Sequence, residues 1–100
     1  FDWEKIEDVW AKIHEEIQEL KEAQENGDKS HIEEEIGDTI FSFVNLARFL
    51  NLSAEAALRK TNRKFTTRFK AVEEELKKRG KDVEESNLDE MDEIWNMVKK

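Results

Sequence analysis

Glu15-Glu16-Ile17-Gln18-Glu19, Asn26-Gly27-Asp28 and Glu35-Ile36-Gly37-Asp38, in that order, decide how this chain folds. The central stretch reads as a turn, because glycine takes the left-handed conformation that ends a helix and reverses the chain. On the helices either side, Glu16/Glu19 and Glu35/Asp38 are each one helical turn apart. The first pair lies about ten residues before the turn and the second about nine after it. With a rise of about 1.5 Å per residue, the two pairs stand at the same height in a helical hairpin. Four carboxylates converging on one point repel one another. A hard divalent cation gives a reason for placing them there, and the spacing predicts a magnesium site.

The rest of the composition agrees with helices. One hundred residues suit a single domain spanning 1–100, with a small but adequate core. Proline is absent, and Gly27, Gly37 and Gly80 are the only glycines, so a β fold rich in tight turns is disfavoured. The expectation is an all-α, four-helix bundle with short loops and antiparallel neighbours. A net charge of -8 argues against nucleic acid as a general partner. The absence of cysteine excludes disulfides, thiolate nucleophiles and a thiolate zinc site. No apolar run approaches the roughly 18 residues of a membrane span, and no signal-peptide pattern is present. A cytoplasmic protein is expected.

Apolar periodicity predicts a first helix from about Asp2 to Gln24, with the stripe Ile6, Val9, Trp10, Ile13, Ile17 and Leu20. Ser30 and Glu33 read as a capping box for a second helix reaching about Leu50. Its main apolar face is Ile32, Ile36, Ile40, Phe43, Val44 and Ala47, while Phe41, Leu46 and Phe49 point elsewhere. A helix apolar on more than one side is central, or shared with a second subunit. Ser53 is the expected cap of a third helix carrying Leu58, Phe65, Phe69, Val72 and Leu76 and fading near Gly80. Gly80 to Ser86 reads as a loop. Asn87 with Glu90 then caps a fourth helix bearing Leu88, Met91, Trp95 and Val98.

An acidic run in so acidic a chain is usually a solvated helix face. Two details distinguish these. Glu16 borders the apolar stripe of its helix, Glu35 borders that of the second, and Asp38 lies about 60° beyond it on a wheel of about 100° per residue. Gly37 also costs its helix about 1 kcal/mol relative to alanine, which suggests close approach of something to that turn. Oxygen-only ligands select Mg²⁺, Mn²⁺ or Ca²⁺ over zinc. Di-iron chemistry wants Glu-x-x-His pairs, and neither His14 nor His31 supplies one, so both read as ordinary surface or helix-end residues.

Further along, Lys64 and Arg68 lie four apart beside the Phe65/Phe69 stripe, where cations can reach into a cleft or simply pack their stems on the core edge. Trp95 and Lys99 repeat that spacing on the last helix. Asn45, seven residues after Asp38, faces the same side and suits either a ligand or a neighbouring helix. Metal-binding carboxylates with separate cations suit water attack on a phosphoanhydride, where positioning and charge stabilisation do most of the work.

These residues together resemble a known family. Glu-Glu-x-x-Glu followed after fifteen residues by Glu-x-x-Asp is similar to the signature of the all-α nucleoside triphosphate pyrophosphohydrolases. Glu34-Glu35-Ile36-Gly37-Asp38-Thr39-Ile40-Phe41, Val44-Asn45-Leu46-Ala47-Arg48, Thr61-Asn62-Arg63-Lys64-Phe65-Thr66-Thr67-Arg68-Phe69 and Leu88-Asp89-Glu90-Met91-Asp92-Glu93-Ile94-Trp95 with Lys99 resemble its MazG branch. The opening Phe1-Asp2-Trp3 and the tryptophan-lysine ending look most like the second, C-terminal module of tandem MazG proteins. The resemblance implies Mg²⁺-dependent cleavage of nucleoside triphosphates to monophosphate and pyrophosphate with broad base tolerance, Mn²⁺ being a possible substitute. It implies metal binding by Glu16, Glu19, Glu35 and Asp38, phosphate contacts from Lys64 and Arg68, and a nucleotide pocket completed by Trp95 and Lys99. It also implies a homodimer or larger assembly. For the general base Glu16 is the first choice and Glu15 the runner-up, since spacing does not separate them, and it leaves one or two ions open. Two alternatives stand beside this: a catalytically silent dimerisation module, and a house-cleaning enzyme for noncanonical nucleotides or the guanosine tetraphosphate alarmone.

Overall fold

Among the described residues, three of the four helices start at a side chain that accepts from a free N–H of the first turn, whereas the first helix starts after Lys5 without such a cap. In the computed structural model, which describes residues 3–99, α1 is Ile6–Asn26, α2 Lys29–Phe49, α3 Ala54–Lys78 and α4 Leu88–Val98. No strand occurs among the described residues. Gly27, at φ 78°, ends α1, its N–H donating to the carbonyls of Ala23 and Gln24. Asp28 caps α2, its carboxylate accepting from the Ser30 N–H at 3.1 Å. The expected Ser30/Glu33 box is therefore displaced: an aspartate directly after the turn reaches the free N–H first, and Ser30 falls inside the helix. The Ser53 hydroxyl accepts from the Ala56 N–H at 3.1 Å, and Asn87 from that of Glu90 at 2.8 Å, as the sequence predicts. The expected loop after Gly80 contains a 3₁₀ turn, Val83–Glu85, closed by a reciprocal Asp82/Glu85 capping box. Asp2, the predicted helix start, lies outside the described residues.

Two compact units result, Phe1–Ala57 and Leu58–Lys100. In the first, α1 and α2 pack on one another across the two-residue link. Val9, Ile13 and Ala23 are its buried apolar residues, with Glu16 and Ser42 buried beside them. The inner line of α2 is Glu35, Thr39, Ser42, Leu46 and Phe49, at helical spacing and all partly or fully buried. The predicted main apolar face is divided: Ile32, Val44 and Ala47 are partly buried, whereas Ile36, Ile40 and Phe43 are exposed, and so is Phe41. Small hydroxyl residues line the inside. The Thr39 hydroxyl donates to the Glu35 carbonyl at 2.8 Å and Ser42 to that of Thr39 at 2.7 Å, so neither costs the interior an unpaired donor. Their small size brings α1 close enough that Thr39 Oγ1 lies 3.5 Å from the Glu16 carbonyl.

The second unit is built on Val72, Leu76 and Ile94, with Val83, Met91, Trp95 and Val98 packed around them. Burial of such side chains contributes about 1.5–3 kcal/mol each. Gly80, at φ 77°, closes α3, and Glu90 of α4 pins the connecting segment in place. Its carboxylate accepts from Ser86 Oγ at 2.6 Å, from Lys81 Nζ at 3.1 Å and from an Arg79 guanidinium nitrogen at 3.2 Å.

Candidate active site

Glu16, Glu35 and Asp38 meet in the first unit. One ligand atom from each lies within 4.8 Å of the others. Glu16 projects from the buried side of α1 and is only 6% exposed, while Glu35 and Asp38 stand one turn apart on α2. The register that the acidic patterns predict is thus present in three of the four carboxylates. Glu19 stands outside the group, half-buried one turn along α1. It still senses the others: the Glu16 carboxylate, helped by desolvation and by Glu35, raises the Glu19 carboxyl above its ordinary value. Glu15 points outward, its side chain 58% exposed.

The buried Glu16 and the partly buried Glu35 each have one oxygen engaged and one without a partner. Lys12 Nζ is 3.0 Å from Glu16 Oε1, and this contact raises the Lys12 ammonium above its usual value. His31 Nε2 is 3.4 Å from Glu35 Oε1. Glu16 Oε2 and Glu35 Oε2 are buried with no hydrogen-bond partner. A buried acceptor without a donor is costly unless something binds it. The oxygen-only donor set and the two orphaned atoms therefore fit a hard divalent cation such as Mg²⁺, which takes one or two carboxylates and keeps several waters. Beside the cluster opens a cleft of about 280 Å³ lined by Trp3, Lys12, Glu16, Asp38, Phe41, Ser42 and Asn45. It joins the predicted Asn45 to two of the carboxylates and adds two aromatic residues to the polar lining.

Sequence reasoning missed Lys12, Trp3, Thr39 and Ser42, and it dismissed His31. A signal existed for two of these: Lys12 and His31 each precede one of these glutamates by four residues, the spacing that brings helical side chains together. The close approach expected at Gly37 is not made within the chain. A methyl group added there would meet nothing within 4 Å.

In the second unit, Lys60, Arg63, Lys64, Thr67, Arg68 and Val98 line a basic groove of about 410 Å³. Here Arg68 lies over the Trp95 ring at 5.5 Å, and Phe65 packs on the same indole at 5.5 Å. The tryptophan is thus both core wall and cation–π partner. Lys64, Arg68 and Trp95 gather in this unit, and Lys99 follows the end of α4, exposed.

Comparison with known proteins bears on what these arrangements do. The family model described as MazG nucleotide pyrophosphohydrolase domain matches residues 4–73. The chain is 50% identical over 99 residues, 99% of its length, to the nucleoside triphosphate pyrophosphohydrolase/pyrophosphatase MazG of Thermotoga maritima, covering 38% of that protein. It is 42% identical over its whole length to the nucleoside triphosphate pyrophosphohydrolase of Escherichia coli strain K12, covering 39% of it. The uncharacterized protein YabN of Bacillus subtilis is 41% identical over 69% of the chain, which covers 14% of that protein. The chain spans about two-fifths of the length of the first two relatives.

Proposed function

We propose a function that starts from a fact of descent: the chain belongs to the MazG nucleotide pyrophosphohydrolase family. It hydrolyses nucleoside triphosphates to the monophosphate and pyrophosphate, with Mg²⁺ as the cofactor and Mn²⁺ as a substitute. The single observation behind this is the meeting of Glu16, Glu35 and Asp38 with two buried, unpartnered carboxylate oxygens. Those three residues would hold the cation, with Glu19 at the rim. When bound, the cation supplies charge neutralisation to phosphate oxygens and acidity to a coordinated water.

The chain's own residues do the rest. A water oxygen attacks the α-phosphorus, the α–β anhydride bond breaks, and pyrophosphate leaves. Glu16 is the preferred acceptor of the water's proton, since it is buried against the cleft while Glu15 is largely exposed. Asn45 and the aromatic side chains of Trp3 and Phe41 offer the nucleoside a polar contact and ring faces. Lys64 and Arg68, with Trp95 and Lys99, are assigned to phosphate and nucleotide binding on the family resemblance, and the place of Lys64 and Arg68 in the basic groove supports their part of it. Broad base tolerance belongs to the same proposal. So does the antiparallel, dimerising arrangement of the MazG fold, supported by the exposed Ile36, Ile40 and Phe43 on α2. Among the described residues, no helix is long and apolar enough to cross a membrane.

The test is pyrophosphate release from a panel of nucleoside triphosphates with Mg²⁺, for wild type, Glu35→Ala and Asp38→Ala. Both variants should lose at least about 100-fold in turnover, the scale expected when metal-directed charge stabilisation is removed. Wild-type turnover in two folded variants would refute the site. If wild type released no pyrophosphate from any nucleotide, a dimerisation module would be the better reading.

A further inference from the structure

Lys12 and His31 are equivalent in a way their chemistry does not announce. Each stands one turn before a buried or partly buried glutamate on its own helix, and each contacts the Oε1 atom of that glutamate, at 3.0 and 3.4 Å. The other oxygens, Glu16 Oε2 and Glu35 Oε2, are the two buried atoms without partners. Two helices thus present the same device side by side. The bases themselves are open to solvent, with side-chain exposures of 40% and 45% against 8% and 13% for the glutamates they contact. The terminal torsion of a glutamate is broad, so a carboxylate with two free oxygens rotates easily. Fixing one oxygen from the solvent side settles the plane of the group and directs the other inward.

We propose that Lys12 and His31 are positioning residues that orient Glu16 and Glu35, so that the two inner oxygens are aimed at a divalent cation. This rests on the reading of the carboxylate cluster as a metal site. Ligand orientation by an outer partner is a recurring way of tuning a metal, and loss of such a partner typically lowers affinity by about 10–100-fold. Simple electrostatics gives the opposite sign. A cation beside a metal site repels the metal, so deleting one with no other consequence tightens binding.

The experiment follows Mn²⁺ alone binding to the full chain, by the loss of the free-ion EPR signal, without nucleotide. Lys12→Met and His31→Leu remove the donor, whereas Lys12→Arg and His31→Gln keep a donor of similar reach. Both donor-deleted variants are expected to bind Mn²⁺ about 10-fold more weakly, and the donor-keeping variants to stay within about 3-fold of wild type. Circular dichroism checks the helical content of each. Binding as tight as wild type or tighter in Lys12→Met and His31→Leu overturns the positioning role, as does equal weakening in all four variants. Glu35→Gln separates the two levels. If it binds Mn²⁺ like wild type, the metal site itself is wrong. If it loses binding while the donor deletions do not, only the positioning role fails.

Discussion

Replacing Glu35 by glutamine should make the protein more stable in the presence of a chelator and indifferent to Mg²⁺ or Mn²⁺. The ligand atoms of Glu16, Glu35 and Asp38 lie within 4.8 Å of one another. At that separation each like-charged pair costs between about 0.9 kcal/mol in bulk water and about 3.5 kcal/mol at an effective dielectric constant near 20. Glu35 belongs to two such pairs, and the raised Glu19 carboxyl records the same crowding. Glutamine keeps the shape, can accept from His31, and brings an amide donor into a cluster of carboxylates. The attraction lost at the half-exposed His31 is worth about 0–1 kcal/mol. The expected net gain is therefore about 1–3 kcal/mol, or a rise in Tm of at least about 4 °C for a domain of this size. Wild type should instead gain about 2.7 kcal/mol from a cation held at 100 times its Kd, and the variant should gain none. Thermal unfolding with chelator and with Mn²⁺, at one protein concentration, reads both effects. A variant less stable than wild type in chelator would refute the reasoning about stored repulsion. A variant stabilised by Mn²⁺ as much as wild type would refute the ligand assignment.

Four other substitutions probe the two units separately. The Ser86 hydroxyl, then Lys81 and Arg79, hold the Glu90 carboxyl down at about 2, well below its unfolded value near 4.5. Glu90 therefore contributes stability that is fully present above about pH 4.5 and is lost as the pH falls toward 2, and Glu90→Gln should flatten that part of the stability profile measured by denaturant titration. Ile94 is fully buried against Val72 and Leu76, so Ile94→Ala should cost about 2–5 kcal/mol by urea unfolding. Gly27→Ala should cost about 1 kcal/mol because φ is 78°, whereas Gly37→Ala meets open space and should gain about 1 kcal/mol; thermal unfolding of the two variants gives opposite shifts.

Much of this architecture is legible in residue spacing. Helix ends are local events, and Gly27, Ser53, Gly80 and Asn87 each act within a few residues of themselves. The one misplaced cap shows the limit of that logic. Asp28 and Ser30 are both good caps, and the backbone path out of the Gly27 turn chooses between them. The acidic motif was equally legible, because three- and four-residue spacings fix which carboxylates share a helix face. Spacing could not weigh α2, a helix apolar on most sides. Its hydrophobic pattern points to Ile32, Ile36, Ile40, Phe43, Val44 and Ala47 as the main face, yet Ile36, Ile40 and Phe43 are exposed while Glu35, Thr39 and Ser42 lie inside. A pattern of apolar residues shows which faces can be buried and not which one packs on α1.

The sequence by itself determined the helices, their ends, and the level at which two acidic pairs meet across a glycine turn, since all of these arise from rise, periodicity and local capping. Only the tertiary structure decided which oxygens are free. Whether a carboxylate is solvated, paired or left unpartnered depends on the distance between two helices and on the side chains packed between them. Thr39 and Ser42 keep that distance short, Lys12 and His31 each take one oxygen, and Glu16 Oε2 and Glu35 Oε2 remain buried without a partner.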